Sequence, residues 1–214
     1  MLRFPIILIA VLFAVEAFAV RSCFIEIGGH NVLLNRWVGK PEHEVDILLR
    51  LLGELPETKT HALEFGARLS RGEITVSDLD TENGVAARTF YQDKHVSIKI
   101  DGSELGLLLV HFYHEIIHAL DQEALEKLDS KDLSPVEKDK VTFKAERKAF
   151  DVQAELVKAL QREFPCSENY FSEHQLKGNV LARNPTDLEI KLLYGLVAVS
   201  ENSNSVARQV KGTH

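Results

Sequence analysis

The sequence predicts an α+β fold, with short strands early in the chain and long helices late. Two observations lead there. Short strand-like runs cluster before residue 101. Apolar residues return at helical spacing over long stretches after residue 103. One of those stretches contains His114-Glu115-Ile116-Ile117-His118.

The elements are read in chain order. Phe24 to Ile27 and Asn31 to Asn35 suit short strands around Gly28-Gly29. Pro41 to Glu54 has an apolar set (Val45, Ile47, Leu48, Leu49, Leu51, Leu52) that suits an amphipathic helix with Pro in its first turn. Thr60 to Leu69 predicts a second, weaker helix, and Ile74 to Val76 a short strand. His95 to Ile100 alternates, with Val96, Ile98 and Ile100 on one face and His95, Ser97 and Lys99 on the other. Gln92-Asp93-Lys94 is short enough to turn a hairpin between this run and Thr89-Phe90-Tyr91. A helix opening at Ser103-Glu104 is expected to run to about Leu125. Ser134-Pro135-Val136-Glu137 is a capping-box pattern for a helix reaching about Arg162, before Pro165. Asp187 to Val199 predicts the last helix.

The chain has 214 residues, enough for one domain that buries its own core. Its 45% hydrophobic and 27% charged content is that of a globular protein. A net charge of -7 weighs against nucleic acid as a partner, because phosphate binding needs a positive surface. Residues 1–19 read as an export signal: Arg3, then the apolar run Pro5 to Val15, then Ala17-Phe18-Ala19 as a cleavage pattern. That run is shorter than a membrane-spanning helix needs, so no span is expected in the mature chain. Residues 20–200 are expected to form a single domain, and 201–214 a flexible polar tail. In a secreted or periplasmic chain Cys23 and Cys166 could pair. Alternatively, Val20-Arg21-Ser22-Cys23 is a lipoprotein-like processing site, and acylated Cys23 would anchor the chain at the envelope. Oligomeric state is not legible.

The strongest chemical signal is the pair His114 and His118. Four residues apart on a helix, they share one face with Cβ atoms ~5–6 Å apart. Two imidazoles so placed can converge on one zinc ion at about 2.0–2.1 Å. Glu115 projects about 100° round the helix from His114. It can then serve as the base beside the metal, while the histidines serve as ligands. The bland reading is an amphipathic helix with two partly buried histidines. Burying that polar stripe without a shared partner costs ~1–3 kcal/mol per group.

A catalytic zinc takes a third protein ligand and keeps one position open. The extended pattern HExxHxxGxxH is absent, since Asp121 and Ala124 stand at its Gly and His positions. The third ligand is therefore expected on the following helix. Glu146 falls on a stripe with Thr142, Phe143, Ala149, Phe150, Gln153 and Val157, facing the core. An acid there needs a partner, and a metal is one. The bland alternative is a salt bridge to a nearby cation. Asp151 and Glu155 are the weaker candidates, because both leave the stripe. His111 and Asp121 lie one turn before and one turn after the pair, where either can orient an imidazole. For His111 the competing reading is a satisfied core histidine.

His114-Glu115-x-x-His118 followed by Glu146-x-x-Ala149 resembles the gluzincin branch of zinc metallopeptidases, including small bacterial metallopeptidase domains. The likeness covers about residues 95–160. It implies a zincin-like fold, with a small mixed sheet over two packed helices bearing the ligands. It also implies Zn2+ as cofactor, and a peptide or protein substrate hydrolysed by a metal-activated water. A strand beside the cleft would pair with substrate, and His95 to Ile100 is the candidate. Donors to the oxyanion would come from downstream, where Tyr170 and His174 are candidates. The alternative function is a catalytically inactive zincin-like binding module.

Overall fold

The computed structural model describes residues 24–27, 30–33, 41–78, 87–90, 94–98, 105–130, 132–163 and 184–196. The expected export signal, Cys23, Cys166, Tyr170, His174 and the C-terminal tail lie outside them. The described residues form an α+β arrangement dominated by helices. Strands β1 (Phe24–Ile27) and β2 (His30–Leu33) make an antiparallel pair of their own. Helices α1 (Pro41–Glu54) and α2 (Pro56–Ser70) follow. Then come β3 (Thr75–Asp78), β4 (Ala87–Phe90) and β5 (His95–Ile98). The helical half holds α3 (Leu105–Leu120), α4 (Gln122–Asp129), α5 (Pro135–Glu163) and α6 (Asp187–Leu193).

Strands β3, β5 and β4 form a three-stranded mixed sheet in that order. Strand β5 runs parallel to β3 and antiparallel to β4. The expected hairpin is present, with Phe90 opposite His95 and Lys94 at φ 48° in the connection. One expectation fails here. His95 to Ile98 is the central strand, hydrogen-bonded on both sides, and so cannot accept a substrate strand. Within this sheet the edge that packs on α3 is β4. Alternation predicted a good strand but could not say how many neighbours it would have.

The centre of the core is α3. It packs against α1, α2 and α5 and against strands β4 and β5. A helix covered on so many sides has no face for solvent, and its run Leu105 to Tyr113 is apolar nearly all round. Leu108, Leu109 and Phe112 are buried, with Leu48, Leu52 and Phe65 in the same cluster. Phe65 meets Phe112 edge-on, with ring centres 5.5 Å apart. Burying each such side chain contributes roughly 1.5–3 kcal/mol.

Local signals explain the helix ends. Pro56 starts α2 earlier than expected, and Thr58 ties it to α1 by donating its hydroxyl to the Leu52 carbonyl at 2.5 Å. Gly72, at φ 70°, closes α2 with bonds from Gly72 N–H to Leu69 and from Glu73 N–H to Arg68. The predicted capping box holds: Ser134 Oγ accepts from Glu137 N–H, and Glu137 accepts from Ser134 N–H. Helix α6 stops at Leu193 rather than Val199. Gly195, at φ 60°, lets Leu196 N–H reach the Lys191 carbonyl.

The helix expected to reach Leu125 breaks at Asp121. There the Asp121 carboxylate accepts from Ala124 N–H at 3.1 Å and caps α4 as a separate helix. His118 thereby falls in the last turn of α3, with His114 one turn before it.

Candidate metal centre

Helix α3 supplies His114 and His118 from one face, and α5 packs across that face with Glu146. Ala149, one turn past Glu146, is fully buried, and its small side chain permits close approach of the two helices. His114 Nε2 lies 3.0 Å from His118 Nε2. Glu146 Oε2 lies 3.2 Å from the former and 3.3 Å from the latter. These three atoms form a nearly equilateral triangle. A point about 1.8 Å from each lies at its centre, just inside the ~2.0–2.1 Å bonding distance of zinc to nitrogen or oxygen. A cation would therefore sit slightly to one side of the triangle, with a fourth direction remaining.

The chemistry of this donor set fits a cation. His114 Nδ1 is 2.8 Å from the Gln153 carbonyl oxygen, which can only accept. The ring therefore carries its proton on Nδ1, and Nε2 presents a lone pair to the centre. Two imidazoles and a carboxylate at van der Waals distance, all buried, call for a shared positive charge. A proton can fill part of that role. Burial disfavours the charged form of His118, but the hydrogen bond and charge of Glu146 outweigh it and raise its pKa. Burial likewise opposes ionisation of Glu146, yet the two histidines hold its carboxyl well below the usual range. The same three residues form the one metal-capable group of His, Cys, Asp and Glu found among the described residues.

Glu115 is 8% exposed and faces β4. Thr89 Oγ1 donates to Glu115 Oε2 at 2.5 Å, and lies 3.3 Å from the Glu115 carbonyl oxygen. Its carboxylate lies close enough to His118 for its charge to favour the imidazolium. Phe150 packs edge-on against the His114 ring, at 4.6 Å between centres.

Other expected residues are placed differently. Asp151 pairs with Arg147 at 2.9 Å, and Glu155 pairs with Lys158 at 2.7 Å, both away from the triangle. Asp121 does not orient His118. Its Oδ2 accepts from Lys148 at 2.8 Å while Oδ1 caps α4; its carboxylate acts on the His118 ring through charge, and its N–H donates to the His118 carbonyl at 3.1 Å. His111 has an unsatisfied ring nitrogen. Its Nε2 is buried with no hydrogen-bond partner among the described residues. Burial, with the nearby His114, pushes its pKa down to about 4.

Two functional contacts went unassigned in the sequence, those of Gln153 and Thr89. Gln153 had one available sign, as a polar residue on the apolar stripe two turns beyond Glu146. Thr89 had none, since its partner lies on another element. No family model matches the chain, and no curated protein or solved structure matches it significantly.

Proposed function

We propose that this protein is a zinc-dependent peptidase with a zincin-like arrangement, in which His114, His118 and Glu146 hold the metal and Glu115 is the base. The observation that carries the reading is the convergence of Nε2, Nε2 and Oε2 within 3.0–3.3 Å, with the Glu115 carboxylate alongside. Zinc bound there would supply Lewis acidity, polarising a carbonyl and acidifying water. Glu115 takes the proton of the attacking water and returns it to the leaving nitrogen. Thr89 fixes the orientation of Glu115 during both transfers. Strand β4 replaces β5 as the element against which an extended peptide can lie. Export remains part of this reading on the strength of residues 1–19, with attachment to the envelope through Cys23 as the alternative.

The test is Glu115→Gln, assayed on a quenched-fluorescent peptide library and on casein. Zinc should remain at one equivalent while hydrolysis falls by at least about 10³-fold. Unaltered hydrolysis removes Glu115 from catalysis.

One observation favours a second reading, a non-catalytic module whose metal staples α3 to α5. His114, His118, Glu115 and Glu146 are between 3% and 8% exposed, little room for a substrate. Zinc bound with no exchangeable position, shown by failure of hydroxamates to perturb a cobalt-substituted spectrum, favours the staple.

A further inference from the structure

We infer that the groove between α4, α5 and α6 is a binding site for an acidic peptide segment. The groove has a volume of about 740 Å³, within the ~300–1,000 Å³ range of ligand pockets. It is distinct from the triangle of metal ligands, none of which lines it. Five lysines and three acids line it, and the ion pairs decide what charge remains. Lys148 is paired with Asp121 at 2.8 Å and Lys127 with Glu123 at 2.5 Å. Asp187 lies 3.6 Å from Arg147. Asp121 and Glu123 thus each have a lysine of their own, whereas Asp187 shares Arg147 with Asp151. Lys140, Lys144 and Lys191 have no carboxylate within 4 Å among the described residues.

Five lysines against three acids leave the groove lining net positive on a chain of net charge -7, and Lys140, Lys144 and Lys191 are the ones without a direct carboxylate contact among the described residues. Lys140 and Lys144 stand one turn apart on α5, where like charges repel. Lys191 reaches in from α6 and lies over the Phe143 ring at 5.1 Å. An anion shared by the three would relieve that repulsion.

The shape of the charge selects the class of anion. A lone phosphate is gripped by donors that converge, typically arginine forks or backbone N–H groups. Here the three lysines come from two helices, and Val141, Phe143 and Ala145 add apolar lining. Separate carboxylates on an extended chain, with an apolar side chain between them, match this better. Nucleic acid matches worse, because the rest of the molecule repels it. The site stands without the peptidase reading. If that reading holds as well, an acidic stretch of substrate would rest beside the ligand-bearing helices, since Ala145 and Lys148 flank Glu146.

The test uses the full chain, metal-free, and a short dye-labelled peptide of glutamates around one phenylalanine, followed by fluorescence anisotropy. The control carries glutamine in place of every glutamate. Saturable binding of the acidic peptide alone is expected, weakening at least tenfold in Lys140→Gln/Lys144→Gln. Both positions are exposed, and an unchanged melting temperature will show that the variant folds. A fold-neutral second measurement is salt: raising NaCl from 50 to 300 mM should weaken binding severalfold. The proposal is overturned by absent binding, by equal binding of the glutamine control, or by an affinity indifferent to the two substitutions. Displacement by millimolar inorganic phosphate, or stronger binding to anionic vesicles or an oligonucleotide, overturns it too.

Discussion

Gln153 on α5 receives the Nδ1 proton of His114 on α3 across 2.8 Å, and so determines which nitrogen of that ring faces the triangle of ligand atoms. Both side chains are buried. A carbonyl acceptor here costs nothing in charge, yet it selects the tautomer that can bind a metal. Replacing Gln153 by Leu keeps the volume and removes the acceptor. Zinc affinity, measured by competition with a chromophoric chelator, should fall about 10–100-fold. Gln153→Glu should retain most of it, because a carboxylate accepts the same proton. Equal affinity in wild type and the Leu variant would show that the ring needs no such guide.

Thr89 bears on activity rather than on the metal. Its hydroxyl is the described hydrogen-bond donor to Glu115, and hydrogen bonds to charged groups are worth ~1.5–3 kcal/mol. Thr89→Val preserves the branched shape. The proposed hydrolysis should drop by about tenfold or more, with zinc content unchanged by atomic absorption. A loss of zinc in this variant would mean that β4 supports the ligands and not the base.

Ala149 and Phe112 separate global stability from metal geometry. Ala149 is fully buried beside the ligands, and Phe112 is fully buried in the same core on the α2 side of α3. Phe112→Ala should cost about 3–5 kcal/mol in urea unfolding while leaving zinc affinity nearly unchanged. Ala149→Leu should cost about 1–3 kcal/mol and weaken zinc binding as well, since it forces the helices apart. Identical effects of the two on zinc would contradict helix separation as the controlling distance.

His111 predicts a pH dependence. Its folded pKa is lowered to about 4 from an ordinary value near 6.5. Between those values the unfolded chain binds a proton that the folded chain refuses. Stability of the metal-free protein should therefore fall as pH drops below about 6.5, and this contribution should level off near pH 4. His111→Leu should flatten that part of the curve, measured by urea unfolding at several pH values. It also removes a buried, unpartnered nitrogen, so it should be neutral or stabilising near pH 7. A curve of the same slope in both proteins would assign the acid loss to other groups.

Much of the architecture was legible because it is local. Strand alternation at His95, Pro at the starts of α1 and α5, and the Ser134–Glu137 box each act within a few residues, and each element formed near its expected place. The grouping of His114, His118 and Glu146 was legible for a related reason. Helical pitch puts His114 and His118 on one face, and an acid on the apolar stripe of α5 needs a partner.

What escaped was set by partners distant in the chain. Whether β5 lies at an edge depends on where β3 and β4 settle, and alternation carries no record of neighbours. Asp121 matches a helical continuation as well as a cap, and the bond to Ala124 together with Lys148 on α5 decides for the cap.

The sequence by itself determined the order of strands and helices, the two imidazoles a turn apart and the acid on the next helix, because backbone pitch and side-chain type suffice for these. Only the tertiary structure decided that Nε2 of His114, Nε2 of His118 and Oε2 of Glu146 meet, that Gln153 and Thr89 contact the residues around them, and that five lysines and three acids line one groove. Those are distances between elements, fixed by how α3 is buried among its neighbours and not by any stretch of chain alone.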